Sequence, residues 1–329
     1  MSEKRSVLVT RKLPAAVEAR IARDYDADLN PTDTLYSADE LIARAEGKFA
    51  IIPCHTEKFT ADVFARLPES VKAICNFSVG YDHVDTEAAK KKGVIVTNTP
   101  DVLSDATAEI ALLLLLGAAR RAGEGEMLVR NREWKDWSPA FMVGRQVTGK
   151  RLGILGMGRV GQVFATRAAR GLDMEIHYHN RSRLDAATEA ECKAAYVSKE
   201  DLLRQADHLV LVLPYTPQNH HAIGAAEIAM MKPTATLINI ARGGIVDDAA
   251  LAQALREKRI AAAGLDVFEG EPKVHPDLLT VPNVALTPHI ASATIPTRMA
   301  MANLAADNLI GYLTQGKPVT PLNPEVLGS

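Results

Sequence analysis

The sequence predicts an α/β protein made of two Rossmann-like, doubly wound parallel-sheet domains. Three observations predict it. Short β-branched runs alternate with amphipathic stretches along the chain, the pattern of a parallel sheet covered on both faces. The alternation stops once, at a long apolar helical segment, and then begins again. The length, 329 residues, suits two domains of ordinary size.

In the first series, strands are expected at Ser6–Thr10, Phe49–Ile52, Val71–Asn76 and Val94–Thr97. Helices are expected at Pro14–Asp24, Ala38–Ala45 and Asp85–Lys92. Ser104–Arg121 then reads as one helix, apolar on most faces, with Ser or Asp as N-cap and a basic pair at its end. So apolar a helix needs cover on nearly all sides, which packing between two domains would give. A polar, tryptophan-containing connection, Gly123–Lys150, follows. The second series has strands at Arg151–Leu155, Met174–Tyr178, His208–Leu213, Thr236–Asn239, Ala262–Asp266 and Asn283–Leu286. A helix at Ile295–Gln315 and a Pro-rich tail close the chain.

Composition narrows the function. Hydrophobic residues make up 47% and charged residues 24%, with a formal net charge of -2. That is a globular balance without the basic excess of a nucleic-acid binder. A small anion could still be held by one or two local arginines. The three cysteines, Cys54, Cys75 and Cys192, are odd in number and widely spaced, so no disulfide framework is expected and a reduced, cytoplasmic setting fits. None is expected to be a reactive thiol, with Cys54, in a loop, the one exception kept open. No signal-peptide core is visible, and the longest apolar run, Ile110–Ala119, falls short of the roughly 20 residues of a membrane span.

Gly156, Gly158 and Gly161 form a GxGxxG turn between the strand RLGIL and the helical run VFATRAARG. The first glycine permits the turn, the second lets backbone approach a pyrophosphate, and the third lets helix and strand pack closely. Arg159 and Val160 open the helix whose N–H groups and dipole face the phosphates. An Asp or Glu about 20 residues on would bind the ribose hydroxyls of NAD. This chain has Asn180-Arg181-Ser182-Arg183 there instead, a set suited to a 2′-phosphate. NADP(H) is therefore expected over NAD(H), with NAD(H) as the alternative and solvated loop arginines as the bland reading. His177 and His179 share a strand face but lack a completed ligand set, so no metal is expected.

Arg242, Glu271 and His289 each follow a predicted strand of the second series at its C-terminal end, the edge where open α/β sheets bind ligands. Arg242 can clamp a carboxylate and polarise a carbonyl. His289 can donate a proton near neutral pH. Glu271 can accept from the other ring nitrogen and favour the imidazolium. With a hydride donor, the three would serve reduction of a 2-keto acid. Spacing alone does not bring them together.

Six segments, in order, resemble the D-2-hydroxyacid dehydrogenase family over nearly the whole chain. They are FSVGYDHVD (77–85), GVIVTNTPDVLSDATAEIALLLLLGAARR (93–121), GILGMGRVG (153–161), INIARGGIVDD (238–248), AAAGLDVFEGEP (261–272) and LTPHIASAT (286–294). Within the family the chain is most similar to glyoxylate/hydroxypyruvate reductases, through NTPDVLSDATAE, the Trp-containing connection and the NRSR tip.

The resemblance implies that Arg242, Glu271 and His289 are the catalytic trio and that Val79 and Gly80 bind the substrate carboxylate through backbone N–H groups. It places Thr107 near the cofactor phosphates. Leu213, Pro214, Ile240 and Ala241 fall beside the nicotinamide ribose, and Asp266 on the nicotinamide amide. It also implies a discontinuous substrate-binding domain, 1–98 plus 292–329, and a dinucleotide-binding domain, 99–291, with the active-site cleft between them. Hinges would lie near Asn98–Pro100 and Ile290–Ile295. The expected reaction is NADP(H)-dependent reduction of glyoxylate and hydroxypyruvate to glycolate and D-glycerate, in a homodimer. Trp134 and Trp137 would belong to the dimer contact and cap the neighbour's site, ordinary packing being their bland reading. D-lactate- or phosphoglycerate-type dehydrogenases remain alternatives, as does a non-catalytic, nucleotide-sensing protein like the corepressors of this fold. A formate dehydrogenase is disfavoured, because Glu271-Pro272 stands where such relatives carry Gln.

Overall fold

The computed structural model describes residues 4–328. The chain divides into two compact units: one runs to Leu103 and resumes at Ala293, and the other is Ser104–Ser292.

In the first unit, strands β1 (Ser6–Val9), β2 (Asp26–Asp28), β3 (Ala50–Ile52), β4 (Ala73–Cys75) and β5 (Ile95–Thr97) form, among the described residues, a parallel sheet ordered β2-β1-β3-β4-β5. Successive strand residues point to opposite faces, so a sheet covered on both sides needs unbroken apolar runs. Val7, Val9, Ala50 and Ile52 pack on one face with Met301, Ala305 and Leu309 of the Ile295–Gln315 helix. Leu8, Ile51 and Ile74 pack on the other with Leu41, Val63 and Phe64.

In the second unit, β6 (Arg151–Leu155), β7 (Glu175–His179), β8 (Ala194–Tyr196), β9 (His208–Leu211), β10 (Thr236–Asn239), β11 (Ala262–Leu265) and β12 (Val284–Leu286) form a second sheet. Its order is β12-β11-β10-β9-β6-β7-β8, every pairing parallel. The strand order reverses between β6 and β9, and ligands of open α/β sheets bind at such a switch point. Leu152, Ile154 and Val210 meet the helices Ser104–Ala119 and Arg159–Gly171 through Leu114, Leu115 and Phe164. Leu209, Leu211 and Leu237 meet the opposite layer. Both sheets are thus doubly wound and Rossmann-like, as the alternation implied.

The departures have local causes. No pattern along the chain signals β2 and β8, which are three-residue edge strands with partly exposed residues and no apolar run. The Gly123–Lys150 connection contains a helix, Ala122–Arg130, none of whose residues is buried. The Ala61–Arg66 helix was too short to show a period. The Ser104 helix ends at Ala119 because the chain turns at Arg121, whose φ is 57°. Contrary to expectation it is not covered on nearly all sides: Leu113 is 53% exposed and Leu116 41%.

Candidate active site

The glycine turn stands at the switch point. Gly156 has φ 99°, and a Cβ there would lie 2.7 Å from the Leu213 nitrogen, so no other residue fits without moving β9's exit. A Cβ at Gly161 would lie 2.7 Å from the Gly156 oxygen. At Gly158, by contrast, a Cβ would meet nothing within 4 Å. The backbone there is bare and open, and it caps the 13-residue helix Arg159–Gly171. Arg159 and Val160 are that helix's first two residues. These features fit a dinucleotide pyrophosphate.

The tip after β7 is divided in its work. The Asn180 side chain turns back to the glycine turn, its Oδ1 accepting from the Met157 N–H at 2.6 Å. Arg183 donates through Nε and Nη2 to the two oxygens of Glu189, at 2.8 and 2.7 Å. The buried Tyr178 hydroxyl donates to the same carboxylate at 2.7 Å and accepts from the Leu184 N–H at 2.9 Å. Hydrogen bonds from Arg183 first, then Tyr178, pull the Glu189 carboxyl down to about 2. Arg181 and Ser182 are exposed, and Arg181 has no hydrogen bond or ion pair among the described residues. His177 donates through Nε2 to the Glu175 carboxylate at 2.9 Å, and His179 through Nδ1 to the Val197 carbonyl at 2.9 Å.

Thr107 is buried in the Ser104–Ala119 helix. Leu213 and Pro214 follow β9, and Ile240 and Ala241 follow β10, both nearly buried. Ala241 is fixed by its N–H, which donates to Asn239 Oδ1 at 3.0 Å.

Adjacent parallel strands deliver the acid–base groups to one edge. Arg242 follows β10, Glu271 the loop after β11, and His289 the loop after β12, three neighbouring strands. Glu271 Oε1 accepts from the Phe268 N–H at 2.9 Å, while its Oε2 lies 2.7 Å from His289 Nδ1. The carboxylate is therefore aimed by its own loop, and the ring presents Nε2. Arg242 donates through Nη1 to the Ala241 carbonyl at 2.9 Å, and its own carbonyl accepts from Asn239 at 3.1 Å. A side chain at Gly243 would collide with the Phe268 carbonyl, so this glycine lets the Arg242 loop close on the Glu271 loop.

His289 has φ 53°, a left-handed conformation that a histidine rarely adopts. Asp266 holds it there. Its fully buried carboxylate accepts from the Thr287 hydroxyl at 2.7 Å and from the Ile290 and Ala291 N–H groups, both at 2.9 Å. Its carbonyl accepts from the His289 N–H at 2.8 Å. The resemblance put Asp266 on the cofactor; among the described residues the hydrogen bonds of its carboxylate go to the histidine loop.

The first unit has an anion-ready loop of its own. The Val79 carbonyl accepts from Asn98 at 2.8 Å and the Gly80 carbonyl from Asn76 at 3.5 Å, while neither residue's N–H has a partner among the described residues. Arg298 lies half-buried over the Phe77 ring, its guanidinium 5.7 Å from the ring centroid, and burial lowers its pKa. Cys54 is no reactive thiol: burial first, then Glu57, pushes it up to about 12.

A family model described as "D-isomer specific 2-hydroxyacid dehydrogenase, NAD binding domain" matches residues 112–291. The chain belongs to the D-isomer specific 2-hydroxyacid dehydrogenase family. A glyoxylate reductase of Thermococcus onnurineus is 42% identical over 328 residues, covering 98% of this chain and 97% of that protein. A glycerate dehydrogenase of Hyphomicrobium methylovorum is 40% identical over 305 residues, 92% of this chain and 94% of that one. The NADPH-dependent glyoxylate/hydroxypyruvate reductase of Sinorhizobium meliloti, solved in complex with NADP and malonate, matches with TM-score 0.85 at 32% identity, covering 97% of each chain. This dehydrogenase is therefore an oxidoreductase of 2-keto and 2-hydroxy acids with a nicotinamide-dinucleotide domain. No helix among the described residues is long and apolar enough to cross a membrane.

Sequence reading missed Glu189, Asn76, Asn98 and Arg298. Only Glu189 left a local signal, a carboxylate on the helix just after the arginine tip. Asn98 and Arg298 are distant in sequence from what they touch, and Asn76 bonds across a loop of no regular period.

Proposed function

We propose that this dehydrogenase reduces glyoxylate and hydroxypyruvate, taking NADPH in preference to NADH. The observation that carries the reading is the Glu271–His289 pair at 2.7 Å, aimed by the Phe268 N–H and the Asp266 clamp. A bound nicotinamide would supply the hydride that reduces the carbonyl carbon. His289, protonated with Nδ1 against Glu271, gives the Nε2 proton to the forming alkoxide. Glu271 holds Nδ1 and fixes the ring's orientation throughout. Arg242 grips the substrate carboxylate and polarises the carbonyl. The N–H groups of Val79 and Gly80 and the Arg298 guanidinium add anion donors.

In this reading Gly156, Gly158, Arg159, Val160 and Gly161 take the pyrophosphate, with Thr107 nearby. Leu213, Pro214, Ile240 and Ala241 line the nicotinamide ribose, and Asp266 adds the amide contact. Arg181 and Ser182 meet the 2′-phosphate. Support comes from the absence of a carboxylate at the Asn180–Arg183 tip, where it would repel that phosphate, and from the exposed, unpartnered Arg181. Arg183 shapes the tip through Glu189.

A homodimer belongs to the same reading. Trp134 and Trp137 are 56% and 73% exposed, and Met127, Val129, Phe141 and Leu113 are exposed in the same stretch of the second unit. So much apolar surface is unusual for a monomer.

Initial rates with glyoxylate and with hydroxypyruvate, each with NADPH and NADH, test the proposal. Turnover of both, faster with NADPH, is expected. No turnover of either acid by cofactor-binding protein refutes the substrate; faster NADH turnover refutes the cofactor preference.

A further inference from the structure

A second cluster of histidine and carboxylate stands apart from the acid–base pair. His220 and His221 follow β9 and stack ring on ring, with centroids 3.9 Å apart at 23°. Both turn their Nε2 atoms to one carboxylate, that of Glu269. His221 Nε2 lies 2.8 Å from Oε2, and His220 Nε2 lies 3.9 Å from Oε1. One nitrogen from each ring and one carboxylate oxygen lie within 4.8 Å of one another.

The opposite edges of the rings are also engaged. Tyr215 Oη stands 3.3 Å from His220 Nδ1, and an Asp247 oxygen 3.9 Å from His221 Nδ1. The backbone beneath is tied down: the His221 N–H donates to the Gly244 carbonyl at 2.7 Å, and the Glu269 N–H to Asp248 at 3.0 Å.

We infer that His220, His221 and Glu269 form a binding site for one divalent transition-metal ion of the zinc class. Two imidazoles and a carboxylate are a zinc donor set that leaves a fourth position for water. Bonds of about 2.0–2.2 Å in a tetrahedron put ligand atoms about 3.3 Å apart. The nitrogens stand 2.8 and 3.9 Å from the two Glu269 oxygens, and one ligand atom of each residue lies within 4.8 Å of the others, so side-chain rotations close the site. Tyr215 hydrogen-bonds the far nitrogen of His220 and the Asp247 carboxylate lies 3.9 Å from that of His221, the outer arrangement that orients ligating histidines. Imidazole donors favour zinc, nickel, cobalt or copper over magnesium and calcium.

The ion would join the loop after β9 to the loop after β11. Glu269 lies two residues before Glu271, so the ion braces the loop that aims the acid–base carboxylate.

Calorimetric titration of chelator-treated protein with zinc chloride tests this. The His289→Gln background removes the acid–base pair with Glu271 as a competitor. One equivalent should bind. His220→Ala and His221→Ala should each weaken binding by about 10–100-fold or more, and Asp247→Asn by about tenfold. His220 is 42% exposed at its side chain, so its variant keeps the test sound if the His221 variant fails to fold. Absence of zinc binding in the His289→Gln protein, or unchanged affinity in its His220→Ala derivative, overturns the inference.

Discussion

Replacing Arg181 and Arg183 one at a time separates a phosphate-binding arginine from a tip-shaping one. Arg181 is exposed and has no hydrogen bond or ion pair among the described residues, whereas Arg183 spends its Nε–Nη2 edge on Glu189 at 2.7–2.8 Å. A charge-assisted hydrogen bond contributes about 1.5–3 kcal/mol, and its lower end suits an exposed site. At about 1.4 kcal/mol per tenfold, Arg181→Ala should lower kcat/KM for NADPH about tenfold or more and leave NADH almost unchanged. Arg183 could turn its Nε–Nη2 edge to a phosphate only by abandoning Glu189, a carboxylate that is 9% exposed and would keep only Tyr178. The lost ion pair offsets most of the gain, so Arg183→Ala should shift the NADPH/NADH ratio by less than about threefold. It should instead lower the melting temperature. The assay is initial rates at varied NADPH and NADH with saturating glyoxylate. A larger loss of NADPH preference in Arg183→Ala than in Arg181→Ala refutes the division of labour.

His289→Gln should lose about 10²–10⁴-fold in turnover while cofactor fluorescence titrations stay near normal; near-normal turnover would remove its role as proton donor. Arg242→Lys should also fail in steady-state rates, because an ammonium cannot reproduce the planar fork. Asp266→Asn keeps the size but leaves one acceptor oxygen where two now serve a hydroxyl and two N–H groups. It should lower kcat far more than it raises KM for cofactor; the reverse split would make Asp266 a cofactor contact alone. The Glu189 carboxyl, held near 2 against an ordinary 4.5, adds stability that is full above pH 4.5 and lost as pH falls to about 2. Acid-unfolding curves should show a shallower loss over that window for Glu189→Gln, and identical slopes would deny the pair its part.

The sequence by itself determined the doubly wound sheets, since apolar runs such as the Val-Leu-Val of β1 and the Ala-Ile-Ile of β3 satisfy only strands covered on both faces. It determined the glycine turn too, because strand, GxGxxG and helix are consecutive and their geometry is local. It placed Arg242, Glu271 and His289 after strands, the end at which open parallel sheets bind ligands. Tertiary structure decided the rest. Only the order β12-β11-β10 makes those three strands neighbours, and only folding puts Glu271 at 2.7 Å from a histidine 18 residues away. The left-handed His289 is tolerated because Asp266, from another strand, supplies bonds that outweigh its strain. Two arginines two residues apart look alike in sequence. The Glu189 carboxylate, brought in by the next helix, makes one a fixed ion pair and leaves the other open to solvent. Local chemistry is written along the chain; which charges cancel depends on partners that only folding brings within hydrogen-bond range.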